Sequence, residues 1–172
     1  ALATIFENLI TNGVGVGLTL SSKPLAEALG ISEDAASKLS HDIETKFAAW
    51  AESPAECDLA GRFTLAQLAA GAYASYLRTG EVVGTLDWRR FANTRTRTKV
   101  SLLDPAQLDR TVTRKEDGRN VLNGVAFNEA GRVAGYYLRE LPLGNMTAAP
   151  VAQFVPAHTS WGRQKVIHLF DL

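Results

Sequence analysis

Apolar side chains recur at Leu39, Ile43, Phe47 and Trp50, at spacings of four, four and three, which is one stripe along a helix. Ser32 can cap that helix, with Glu33 and Asp34 at the positive end of its dipole, and Ser53-Pro54 ends it. A second helix is predicted from Thr64, whose pairing with Gln67 is a capping box. Leu68, Ala72 and Tyr76 line its inner face, and Gly80 closes it from a left-handed position. From Glu81 the period changes to two, and Glu81–Trp88, Thr98–Leu103, Asn120–Asn128, Arg132–Glu140 and Gln164–Phe170 read as strands. Asn128-Glu129-Ala130-Gly131 and Lys115-Glu116-Asp117-Gly118 read as turns, and Leu141–Ala152, with Pro142, Gly144, Asn145 and Pro150, reads as a loop. Ahead of all this, Gly13, Gly15 and Gly17 alternate with valines and predict a strand running on through Leu18-Thr19-Leu20. The order implies an α+β fold, two amphipathic helices packed against a mostly antiparallel sheet, in a single domain over residues 1–172.

Composition narrows the class. With 172 residues, 46% of them hydrophobic and 21% charged, the chain can bury a core without a metal or disulfide staple. Its apolar runs fall far short of the ~20 residues a bilayer requires. Cys57 is the only cysteine, which excludes an intramolecular disulfide and a Cys-rich zinc site. The net charge of zero conceals a split. Residues 1–60 hold nine acids against three lysines, a formal −6, and the remaining 112 hold 15 basic and nine acidic residues, a formal +6. The chain opens at Ala1 and stops just after the apolar run Val166–Phe170, so a piece of a longer protein is expected.

Catalytic spacing is lacking. There is no H-x-x-x-H or Walker pattern, and Cys57 sits beside Asp58 and Glu56, which work against a thiolate. His158 lies in a loop and His168 within a strand, and a small hydrolase using either is the enzymatic alternative. The sharpest charged cluster is Arg89, Arg90, Arg95, Arg97 and Lys99, with no acid between Trp88 and Asp104. In an extended segment Arg95, Arg97 and Lys99 share a face, a row suited to phosphate contacts without base readout. The alternatives are a charged edge strand and a contact with an acidic neighbouring subunit.

The ordered words of the chain resemble the portal proteins of tailed phages of the lambda family. These are Ile10-Thr11-Asn12-Gly13-Val14-Gly15, Trp50-Ala51, Cys57-Asp58, Gly61-Arg62-Phe63-Thr64, Thr79-Gly80-Glu81-Val82 and Ser101-Leu102-Leu103-Asp104-Pro105. The hairpin from Asn123-Gly124 through Phe127, Gly131 and Arg132 to Tyr136 is the most specific, and Val155-Pro156-Ala157 with Val166-Ile167-His168-Leu169-Phe170 completes the set. The resemblance implies structural rather than catalytic roles for Cys57, Asp58, Gly80, Glu81, Gly124, Phe127, Gly131, Arg132, Pro156, His168 and Phe170. It implies the outer, wing-like part of a longer protein that forms a homo-oligomeric ring, typically of twelve subunits, at one capsid vertex. Double-stranded DNA would pass through that ring, and terminase, capsid and head-completion proteins would be its partners. It implies no cofactor, no membrane, a place in the virion after synthesis in the bacterial host cytoplasm, and a motor ATPase on a separate protein. Without the long tunnel-lining helices of that family, the segment by itself is expected to be a monomer or weak oligomer. The basic cluster Arg89–Lys99 is denser than the family pattern requires, so its role is not carried over.

Overall fold

Gly15 and Gly17 both adopt positive φ, and they end a helix rather than punctuate a strand. The structure, a computed structural model, describes residues 2–116, 119–139 and 151–170. Its first element is helix α1, Leu2–Val14. The strand expected through the alternating glycines is therefore corrected. Ile5, Phe6, Leu9 and Ile10 recur at three and four, a helical period that outweighs the local Gly-Val alternation. Gly15 N–H donates to the Thr11 carbonyl and Gly17 N–H to that of Val14, so the glycines supply the left-handed exit. Gly17 also passes close to Ala66, where a Cβ would lie 2.5 Å from the alanine methyl.

The described chain divides into two compact units, residues 1–71 with 88–99 and residues 72–87 with 100–172. The first unit is helical. A single turn, α2 (Ala26–Leu29), leads to α3 (Glu33–Ala51), where Ser32 Oγ accepts the Ala35 N–H at 3.2 Å, the predicted cap. The α3 stripe is only partly covered: Phe47 and Trp50 pack at 5.7 Å between ring centroids, while Leu39 and Ile43 are exposed. Pro54 does more than stop α3. It opens a further turn, α4 (Pro54–Cys57), at the position where a missing N–H costs nothing. Helix α5 (Leu65–Thr79) starts at the expected box, with Thr64 N–H donating to Gln67 Oε1 at 2.9 Å and Gln67 N–H to Thr64 Oγ1 at 3.3 Å. Gly80, at φ 69°, ends it by donating to the Tyr76 carbonyl.

The second unit carries the strands. β1 (Glu81–Trp88), β2 (Thr98–Leu103), β3 (Arg114–Glu116), β4 (Arg119–Leu122), β5 (Val125–Phe127), β6 (Val133–Arg139), β7 (Ala152–Pro156) and β8 (Val166–Phe170) form two sheets, ordered β2-β1-β8 and β3-β4-β5-β6-β7. The second is an antiparallel meander, and β8 returns antiparallel to β1 with His168 opposite Val83. The mixed α+β class holds. Two details differ from expectation. The segment Asn120–Asn128 is two strands joined by Asn123 and Gly124, both at positive φ, the two-residue hairpin turn. Strand β7 forms where a loop was expected to end. Pro156 is tolerated there because β7 is an edge. Residues 140–150, most of the expected loop Leu141–Ala152, lie outside the described residues, as do Asp117 and Gly118.

Successive residues of β6 feed two cores. Tyr136 and Leu138 pack with Val83, Leu108, Ala157 and Val166, whereas Tyr137, pointing oppositely, packs with Val121 and Ala126. Gly135, just before Tyr136, leaves room for β7: a Cβ there would meet Val155 O and Phe154 Cζ, each at 2.5 Å.

Candidate functional site

The basic cluster is a loop, not a strand. No regular structure spans residues 89–97, and the loop is closed by Arg89 N–H donating to the Arg97 carbonyl at 2.8 Å. Thr94, buried, accepts the Phe91 N–H and returns its hydroxyl to the Phe91 carbonyl, both at 3.1 Å. Beneath the loop stands Glu56. Its carboxylate accepts the N–H groups of Arg95 at 2.7 Å and Thr96 at 2.9 Å, and the Thr96 hydroxyl at 2.6 Å. The backbone bond from Arg95 is the largest influence holding this carboxyl down at about 2, against an ordinary 4.5.

Lys99 does not join the row of exposed cations. It is fully buried, because β2 begins only at Thr98 and the alternation of faces cannot be carried back through the loop. Its Nζ donates to the carbonyls of Ala55 at 2.8 Å and Glu56 at 2.6 Å, with the Glu56 carboxylate 3.9 Å away. A lysine here caps the free carbonyls of α4 and neutralises the buried acid. Trp50 Nε1–H adds a bond to the Thr98 carbonyl at 3.0 Å. What remains outside is Arg89, Arg90, Arg95 and Arg97, all exposed, together with the exposed rings of Trp88 and Phe91. Sequence reasoning missed Glu56 because its partners lie some forty residues away.

The residues singled out by resemblance occupy turns, pins and pairing positions. Cys57, next along α4, is fully buried with its thiol against the Ala51 and Phe63 carbonyls. Burial first, and Asp58 second, push that thiol up, so it is a poor nucleophile. Asp58 accepts the N–H groups of Ala60, Arg62 and Phe63, shaping the approach to the α5 cap. Gly124 is pressed against the Asp109 carbonyl, 2.7 Å from where a Cβ would be. Gly131 (φ 74°) and the Arg132 N–H, which donates to Asn128 Oδ1, complete the predicted β5–β6 turn.

Glu81 and His168 meet across the β1–β8 pair. Glu81 Oε1 lies 2.8 Å from His168 Nε2, the second carboxylate oxygen is bound by Arg110, and its backbone carbonyl accepts the Ser75 and Thr79 hydroxyls. Tyr136 meets the imidazole edge-on at 5.4 Å and Phe170 lies at 4.8 Å. Phe127 lines the adjoining cavity of about 510 Å³, whose lining holds no serine or cysteine. His158 is exposed and sits in its own bridge to Gln164. Among the described residues no three His, Cys, Asp or Glu side chains converge as a metal would require, and no helix is long and apolar enough to cross a membrane.

The family model for the phage portal proteins of the lambda family matches residues 1–172. The chain is 26% identical over 159 residues to portal protein B of Escherichia phage lambda, and 28% identical over 163 residues to the portal protein of Escherichia phage N15. Each alignment covers 92% of this chain and 30% of the relative, so the chain spans about 30% of the length of the curated relatives it matches. With the family pattern running through every element from α1 to β8, the chain belongs to the lambda family of phage portal proteins.

Proposed function

We propose that this chain is the wing-like part of a portal subunit, one of about twelve in a ring at a capsid vertex through which double-stranded DNA is packaged and ejected. The observation that carries the reading is the family match over residues 1–172. Capsid, head-completion proteins and terminase are the partners that follow, and the virion is the location. The role is mechanical: the ring holds and aligns, while the motor ATPase belongs to terminase. The surface of the helical unit supports subunit contact. Ile5, Leu9, Leu18, Leu20, Leu39 and Ile43 are each more than a third exposed, apolar side chains that a protein neighbour would cover.

Assembly is the test. The whole portal polypeptide carrying this segment, viewed by negative-stain electron microscopy, should form closed rings, and heads made without it should contain no DNA. Normal packaging after deletion of the segment would overturn the reading.

A further inference from the structure

We infer that the 88–97 loop is a preformed surface for the phosphate backbone of duplex DNA, with Arg89, Arg90, Arg95 and Arg97 as the contacts and Glu56 as the positioning residue. The inference goes beyond the ring reading, since a conduit needs no adhesive contact with what passes through it. It rests on that reading only in choosing DNA over an acidic protein as the polyanion.

The loop is unusual in composition and in support. Four exposed arginines fall within nine residues with no acid among them, and among the described residues Arg89, Arg90 and Arg97 have no carboxylate partner. Arg95 lies 3.7 Å from Glu56, yet its side chain is 81% exposed. Guanidinium groups suit phosphate because their donors form a planar fork. Phosphate contacts also release condensed counterions, a gain that the scattered carboxylates of a folded protein do not offer. Flexible arginine-rich segments lose conformational freedom when they bind. This one is already ordered by the Arg89–Arg97 closure, the Thr94–Phe91 pair and three bonds to Glu56. A buried acid whose hydrogen bonds end on the backbone and hydroxyl of a basic loop sets that loop's shape while pairing with only one of its four arginines, Arg95. The four guanidinium groups are assigned to phosphates rather than base edges, which makes the contact independent of sequence.

The test uses a fluorescein-labelled duplex of random sequence and anisotropy over a series of salt concentrations, with the 172-residue chain and, separately, the assembled ring. Four phosphate contacts predict a slope of log affinity on log salt near −3.6, about −0.9 per contact. Replacing all four arginines by glutamine should remove most of that slope. These side chains are exposed, so far-UV circular dichroism should not change. Glu56→Gln separates positioning from charge. Counting charge alone, loss of an acid tightens binding; with loss of position, affinity falls severalfold while the salt slope persists. Should Glu56→Gln fail to fold, Thr96→Val makes the same comparison with no charge change, and charge counting then predicts no effect. A quadruple variant with wild-type affinity and slope overturns the inference. So does one that alters self-association by light scattering but not DNA binding, which would give the loop to a second copy of the chain. Ring assembly by microscopy is read independently, so a ring that forms without binding through this loop refutes the inference and leaves the portal reading standing.

Discussion

Glu56→Gln is the substitution whose cost can be worked most directly from the structure. The wild-type carboxylate accepts two backbone N–H groups and one hydroxyl, and it stands beside the buried ammonium of Lys99. An amide has one accepting oxygen. Whichever way it turns, either the Arg95 N–H or the Thr96 N–H faces an NH₂ group instead of an acceptor. The buried lysine loses its anion as well, although its bonds to the Ala55 and Glu56 carbonyls remain. Breaking a buried charged pair costs about 3–5 kcal/mol, and the retained carbonyl bonds argue for the lower end, about 3 kcal/mol. For a chain of this size that corresponds to a fall in Tm of about 6–12 °C. The cost should also depend on pH. A carboxyl held at about 2 in the folded protein against 4.5 stabilises the fold fully above the unfolded value, and that contribution is lost as pH falls from 4.5 towards 2. Glutamine has no such dependence. Urea denaturation followed by tryptophan fluorescence in a Trp161→Phe background, where Trp50 and Trp88 both report on the helical unit, should show the widest gap between wild type and Glu56→Gln at pH 7. The gap should narrow below pH 4.5. A gap under about 1 kcal/mol at neutral pH, or one that does not change with pH, would refute the role assigned to this acid.

Two further substitutions follow from the strand unit. Gly135→Ala places a methyl 2.5 Å from the Val155 carbonyl and the Phe154 ring, so β7 must move off β6; a loss of about 2 kcal/mol and faster amide exchange along β7 are expected, and stability within 0.5 kcal/mol of wild type would contradict the packing. His168→Ala removes the bond to Glu81 and the contact with Tyr136, and should lower stability by about 2 kcal/mol without touching any turnover. Esterase, phosphatase or nuclease activity present in the wild type and lost in a well-folded His168→Ala chain would revive the hydrolase alternative.

The features legible in the sequence are those whose partners lie within four residues. The Ser32 cap, the Thr64–Gln67 box, the Gly80 terminus and the Asn128–Gly131 turn are written locally, and each is found where its residues stand. Glycine is legible only when its neighbours settle its use. Between valines Gly15 and Gly17 imitated a strand, yet the preceding Ile5-Phe6 and Leu9-Ile10 pairs set a helix that needed left-handed exits. Asn123-Gly124 is the stronger turn signal, but the apolar residues on both sides of it, Val121-Leu122 and Val125-Ala126-Phe127, make the whole segment read as one strand.

Lys99 shows where local reading ends. Two steps of strand alternation place it beside Arg95 and Arg97, and the alternation would hold if the strand began at Arg95. It begins at Thr98 because Glu56, some forty residues away, takes the N–H groups of Arg95 and Thr96 that a sheet neighbour would otherwise pair. The same acid that ends the strand draws the lysine inward and leaves four arginines outside. Sign and spacing along the chain could locate the basic cluster, but not which of its members face water. That division depends on one buried carboxylate whose only local mark is a proline two residues before it, opening the short turn that carries it in. If the loop meets a polyanion, its specificity for shape therefore resides in a residue of opposite charge that the ligand never touches.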